Sequence, residues 1–94
     1  MVVVSQTWDL SLPGCASLKE KRSVVRSIRD RLSSRFNVSV AETGMLDVHS
    51  RAELSVAIVA GNERIAQSVL AKTDRCVESH GGAVIVGVRM EIHS

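Results

Sequence analysis

Aromatic side chains are nearly missing from this chain. Trp8 and Phe36 are the only two, and there is no tyrosine. A core of this composition has to be assembled from valine, isoleucine, leucine, alanine and methionine. Cysteine is scarce too. Cys15 and Cys76 stand far apart, and neither belongs to a CxxC pair. They read as two separate thiols, buried or half-buried, because a disulfide is disfavoured in a reducing compartment. The three histidines, His49, His80 and His93, are scattered. Without HxxxH or Cys/His ligand spacing, no metal and no cofactor are expected.

Long hydrophobic runs are lacking as well. The first apolar run stops after three valines, Val2 to Val4, and no basic segment precedes it. No signal peptide is therefore expected, and no stretch approaches the ~20 apolar residues of a membrane span. The expected location is the cytoplasm, with no membrane partner. Ninety-four residues make one small domain, 1–94. A chain of that size suffices for one two-layer core and leaves little for a deep enclosed active site.

What is present is regular alternation. In "VVVSQTWDLSL" (2–12), Val2, Val4, Trp8, Leu10 and Leu12 share one face, the pattern of a half-buried strand. "PGCA" (13–16) breaks it. Ser17 followed by Glu20 predicts a capping box, with the carboxylate reaching back to the N–H of Ser17. Behind it, Leu18, Val25, Ile28, Leu32 and Phe36 recur at about 100° per residue, which predicts an amphipathic helix. "NVSVAE" (37–42) predicts a strand with Val38 and Val40 inward, and "TGMLDVHS" (43–50) a polar connection. "RAELSVAIVA" (51–60) predicts a third strand with Ala52, Leu54, Val56 and Ile58 together. Asn62 is the expected N-cap of a second helix, with Ile65, Val69, Cys76 and Val77 buried and Gly81 at its stop. "AVIVGVRMEI" (83–92) predicts a last strand with Val84, Val86, Val88, Met90 and Ile92 on one side.

The order is β-α-β-β-α-β. Two right-handed crossovers joined by a hairpin give a four-stranded antiparallel sheet with two helices on one face. The expected class is therefore α+β, a ferredoxin-like sandwich.

Charge is distributed unevenly over that frame. Between Lys19 and Arg35 lie seven basic side chains and two acids, Glu20 and Asp30. The remainder of the chain holds five basic residues and eight acids. Lys19, Arg22, Arg26 and Arg29 recur at i, i+3, i+7 and i+10, a stripe on the solvent side, with Arg31 and Arg35 flanking the other side. Lys21 falls near the core sector, where a long stem packs while the ammonium snorkels out. A merely solubilising surface mixes both signs. Like charges at helical spacing repel, by a few tenths of a kcal/mol per pair, roughly. Such a helix is suited to meeting a polyanion.

The run "LPGCASLKEKRSVVRSIRDRLSSRFNVSVAE", followed by "RAELSVAIV", resembles the YlxP-like family of small bacterial proteins of unknown function. The "SLKEKR", "FNVSVAE" and "RAEL" starts of a helix and two strands carry the likeness over essentially the whole chain. The resemblance implies a ferredoxin-like fold. Members are often encoded beside translation-initiation and ribosome-maturation genes, which implies a role with RNA or the ribosome. The family has no established catalytic residues, so none is carried over. "TGMLDVHS" departs from the acidic, aromatic-containing loop expected of many relatives.

The expected function is thus a non-enzymatic accessory protein contacting phosphates of RNA or a ribosomal component through Lys19, Arg22, Arg26, Arg29, Arg31 and Arg35. Base stacking on the sheet is not expected, since Val3, Ser5, Thr7, Asp9, Glu53, Ser55, Ala57 and Val59 face outward without an aromatic. Two alternatives stand. One is a homodimeric adaptor, using an edge strand or a patch of Val3, Ala57, Val59 and Ile85. The other is a small acyl or phosphoryl hydrolase using the Cys15–Lys21 loop. No phosphate-loop spacing or nucleophile elbow is present. Glu42 and Glu53 read as structural charges pairing with Arg51 or Lys21, and His80 as a charge favouring a helix C-terminus.

Overall fold

A computed structural model describes residues 1–93. Strand β1 spans Val2–Ser11, helix α1 Leu18–Arg35, β2 Ser39–Gly44, β3 Arg51–Ala60, helix α2 Glu63–Glu78 and β4 Val84–His93. The strands form one antiparallel sheet in the order β2-β3-β1-β4. Both helices cover one face, with α2 over β1 and β3 and α1 towards β2. This is the expected ferredoxin-like sandwich.

The core follows the alternation. Val4, Trp8 and Leu10 of β1 and Ala52, Leu54, Val56 and Ile58 of β3 are buried against Val25, Ile28 and Leu32 of α1. From α2 come Ala66, Leu70, Thr73, Cys76 and Val77. The buried stripe of α2 is therefore turned by about one residue from expectation. Ile65 is exposed and Leu70 buried, because the apolar residues alone leave two faces of this helix nearly equal. Both cysteines are free and buried.

Trp8 carries a polar group into this interior, and α2 answers it. Its indole N–H donates to Asp74 Oδ1 at 2.7 Å, and the amide of buried Gln6 donates to the same oxygen. A buried N–H without a partner costs about 1–3 kcal/mol, so Asp74 fixes how α2 sits on β1.

Local starts and stops obey capping chemistry with one change. Ser17 Oγ accepts from the N–H of Glu20 at 3.2 Å, whereas the Glu20 carboxylate takes the N–H of Ala16, not of Ser17. Asn62 Oδ1 accepts from Ile65 as expected. Helix α2 ends at Ser79 in an ordinary right-handed conformation, and Gly81 supplies no positive φ.

Two segments differ from expectation more widely. Strand β2 runs two residues later than predicted, so the connection shrinks to 45–50, and that connection exposes apolar Met45, Leu46 and Val48. In β4, the pairing with β1 shifts register between Asp9 and Leu10. The shift turns Ile85 towards the helices, opposite Leu10, and off the open face where a dimer patch was expected. The five apolar residues Val84 to Ile92 do not form a core face. All are exposed: Val84 pairs with Ser11 on the open face after the register shift, whereas Val88, Met90 and Ile92 face the helix side at an edge that α2, centred over β1 and β3, covers little.

Candidate nucleic-acid interface

Helix α1 turns Val25, Ile28 and Leu32 to the core, and the opposite side is left to serines and cations. Ser23, Ser27 and Ser34 floor a shallow open groove of about 790 Å³. Lys19, Arg22 and Arg26 border it, and Arg31 closes the other side. Short hydroxyl side chains between long basic ones make the concavity. The groove contains one carboxylate, Asp30. Among the described residues, none of Lys19, Arg22, Arg26, Arg29, Arg31 and Arg35 forms an ion pair with a carboxylate.

The six predicted contact residues are thus not equivalent. Arg29 is exposed but lies outside the groove. Arg35 turns away towards α2, where its guanidinium faces Cys76 Sγ at 4.0 Å. The serine floor escaped the sequence reading, although Ser23, Ser27 and Ser34 at i, i+4 and i+11 signal one face as clearly as the arginines do.

His80 borders this face from the end of α2. Its Nδ1 accepts from the N–H of Gly82 at 3.1 Å, so Nε2 holds the proton and donates to Ser27 Oγ at 3.1 Å. Burial first, and the Arg31 charge second, push the imidazole below its ordinary 6.5. A neutral ring tying α2 to α1 replaces the expected cation at a helix end.

Lys21 departs furthest from expectation. It does not snorkel; the residue is 1% exposed. Its ammonium lies 3.0 Å from Glu42 Oε2 and donates to the carbonyls of Met45 and, at 2.7 Å, Val48. That grip holds the 45–50 connection, including Met45 at φ 58°, a conformation that costs a non-glycine residue about 1 kcal/mol or more. It also weakens the hydrolase reading. An anion at the start of α1 would want Lys21 and the N–H groups of Ala16 and Glu20, and all three already have partners within the chain.

The open face of the sheet is polar and connected. Thr7 and Ser55 hydroxyls lie 2.8 Å apart, and Thr43 reaches Ser55 and Glu53, both at 2.7 Å. Arg89 donates to Glu53 at 2.6 Å. Hydrogen bonds from Thr43 and Arg89 hold the Glu53 carboxyl below its usual value. Glu42 and Glu53 therefore point to opposite faces and form no acid–base pair, and Glu53 is held by Arg89 where Arg51 or Lys21 was expected. No aromatic stands on this face, as the sequence required. Among the described residues no three or more His, Cys, Asp or Glu side chains gather as a metal site, and no helix is long and apolar enough to cross a membrane.

Residues 3–90 match the family described as "Protein of unknown function (DUF503)". The chain belongs to that family. A relative, "Uncharacterized protein YlxP" of Bacillus subtilis (strain 168), is 40% identical over 62 residues, which cover 62% of this chain and 67% of the relative. Among solved structures, a de novo designed protein with ferredoxin fold superposes with a TM-score of 0.59 at 14% identity, covering 100% of this chain and 87% of the other. The de novo designed protein Foldit4 gives a TM-score of 0.58 at 12% identity, with coverage of 100% and 98%. At such identities the likeness concerns the fold alone.

Proposed function

We propose that this protein is a non-enzymatic accessory protein that binds RNA, as a free molecule or within the ribosome, through the solvent face of α1. One observation carries the reading: Lys19, Arg22, Arg26 and Arg31 line one groove together, and its single carboxylate, Asp30, forms an ion pair with none of them. Unpaired cations on a rigid helix release counterions from a phosphate backbone, and that release drives binding. The serine hydroxyls between them are donors of the kind that contact phosphate oxygens. A polar sheet without aromatics fits the same picture, since recognition would follow backbone shape and phosphates and not stacked bases.

The test is binding of total ribosomal RNA at rising salt by the wild type and by a Lys19→Ala/Arg22→Ala/Arg26→Ala/Arg31→Ala variant. Four phosphate contacts give a slope of log K against log salt of about −3, which the variant should lose. Equal affinity and slope in both proteins would remove α1 from consideration.

A further inference from the structure

The two edges of the sheet are built differently. Strand β2 is short, and its pairing with β3 shifts register between Glu42 and Gly44. Strand β4 is longer, with regular pairing to β1 from Gly87 to His93. It contains no lysine and no proline, its irregularity is confined to the end before Gly87, and its two charges, Arg89 and Glu91, are opposite in sign and can pair with each other between copies. Its outer N–H and C=O groups have no strand beside them in this sheet. On the helix side it also presents Val88, Met90 and Ile92, exposed by 50%, 47% and 39%.

We infer that β4 is a self-association edge, and that its occupant is the β4 strand of a second copy, antiparallel, with the two-fold axis at Met90. The residues of β4 select this register. With Met90 opposite its own mate, Val88 faces the second copy's Ile92 and Ile92 faces Val88. Arg89 then stands opposite Glu91, and Glu91 opposite Arg89. Apolar side chains meet on the helix side and opposite charges on the open side, both combinations that favour cross-strand pairing. Neighbouring registers fail. Centring on residue 89 or 91 sets Arg89 against Arg89 or Glu91 against Glu91. Centring on Val88 leaves both charges without a mate, facing Gly87 and Ile85.

Arg89, 62% exposed, already donates one guanidinium nitrogen to Glu53 at 2.6 Å, and Glu91, 74% exposed, lies 3.6 Å from His93, so the pair between copies uses the guanidinium's remaining N–H groups. Because the axis is perpendicular to the sheet, both helix layers stay on one side of a continuous eight-stranded sheet. Helix α1 lies towards β2, at the far flank of each copy, so both basic faces remain open. This inference is independent of the RNA reading.

The experiment is sedimentation equilibrium of the full chain across a concentration series. Wild type should approach twice the 10.2 kDa of one chain. Glu91→Arg turns two opposite-charge pairs into two like-charge pairs, and should weaken association by about tenfold or more. Arg89→Glu should do the same, with its folding checked by circular dichroism because it also sets a third carboxylate beside Glu53 and Asp9. Mixed together, these two variants should form a heterodimer, because every Arg then faces a Glu. Met90→Lys should also dissociate the pair; if it fails to fold, the exposed Glu91 position still decides the question. A wild type that remains monomeric throughout overturns the inference. So does a dimer indifferent to Glu91→Arg, or a variant mixture that fails to associate.

Discussion

Lys21 and Glu42 form an ion pair of 3.0 Å in a place that water barely reaches. The pair joins the first turns of α1 to the inner side of β2, and Lys21 extends the link to two carbonyls of the connection beyond it. Breaking one side of a buried pair leaves an uncompensated charge, at a cost of about 3–5 kcal/mol. Lys21→Met should therefore lower stability by about 3 kcal/mol, or the melting temperature by roughly 12 °C. Lys21→Met/Glu42→Leu should recover the part of the loss that comes from the orphaned carboxylate, while the Met45 and Val48 carbonyls still lack the ammonium. Urea unfolding of the two variants checks this. A single variant within about 1 kcal/mol of wild type would show the pair to be incidental.

Trp8 makes a second polar link testable by its own fluorescence. Asp74→Ala removes the acceptor for both the indole N–H and the Gln6 amide. With two buried donors unpaired, the expected cost is about 2–4 kcal/mol. As the only tryptophan, Trp8 should shift its emission to longer wavelength if water enters to replace the carboxylate. Unchanged emission together with unchanged stability would mean that the carboxylate contributes nothing to seating α2.

How far these links could be read beforehand depends on the residue types involved. Alternating valines and leucines in β1 and β3, and the 100° recurrence in α1, announce their elements because a single face is apolar. Gln6 shares the parity of Val4 and Trp8, yet its amide disguised an inward position that only Asp74, distant in sequence, makes tolerable. For Lys21 the sequence supports both a snorkelling head and a pairing with Glu42 or Glu53, and the structure has the pairing with Glu42. The carbonyls that receive the head belong to a connection whose course depends on the register shift at Glu42 and Gly44. In β4, alternation was visible but its meaning was not. Five apolar residues imply a core face until the register shift at Asp9 and Leu10 turns Val84 to the open side and the position of α2 leaves Val88, Met90 and Ile92 at a thinly covered edge. Of the basic residues, helical spacing put Lys19, Arg22 and Arg26 on one solvent-facing side, and they line one groove there. Spacing could not tell that Arg35 would be drawn towards Cys76.

His80 makes stability depend on pH with a definite sign. Its folded-state pKa lies below the 6.5 of an unfolded histidine, because burial and then Arg31 disfavour the charged ring. The unfolded chain thus takes up the proton first as pH falls. The stabilisation is complete above 6.5 and is lost as pH drops through that value towards the lower folded one. Melting temperature should fall between about pH 7.5 and about pH 5.5, the span in which histidine titrates. His80→Gln should flatten that stretch of the curve, and Arg31→Gln should move it to slightly higher stability at the acidic end. A wild-type profile identical to that of His80→Gln would refute the assignment.

The groove geometry ranks the arginines of α1, where charge alone would treat them as equal. Arg26 borders the serine-floored groove, Arg29 stands outside it, and Arg35 is turned towards α2. Each removes one positive charge when changed to glutamine, so the long-range field weakens equally in the three variants. A direct phosphate contact adds something more: its loss reduces the salt slope by about 0.7–0.9. Arg26→Gln should therefore lower both affinity for ribosomal RNA and the steepness of its salt dependence. Arg29→Gln should have a smaller effect, and Arg35→Gln should leave the slope nearly unchanged. Equal losses at all three positions would point to a diffuse attraction between a basic helix and any polyanion, and the groove would then have no part in recognition.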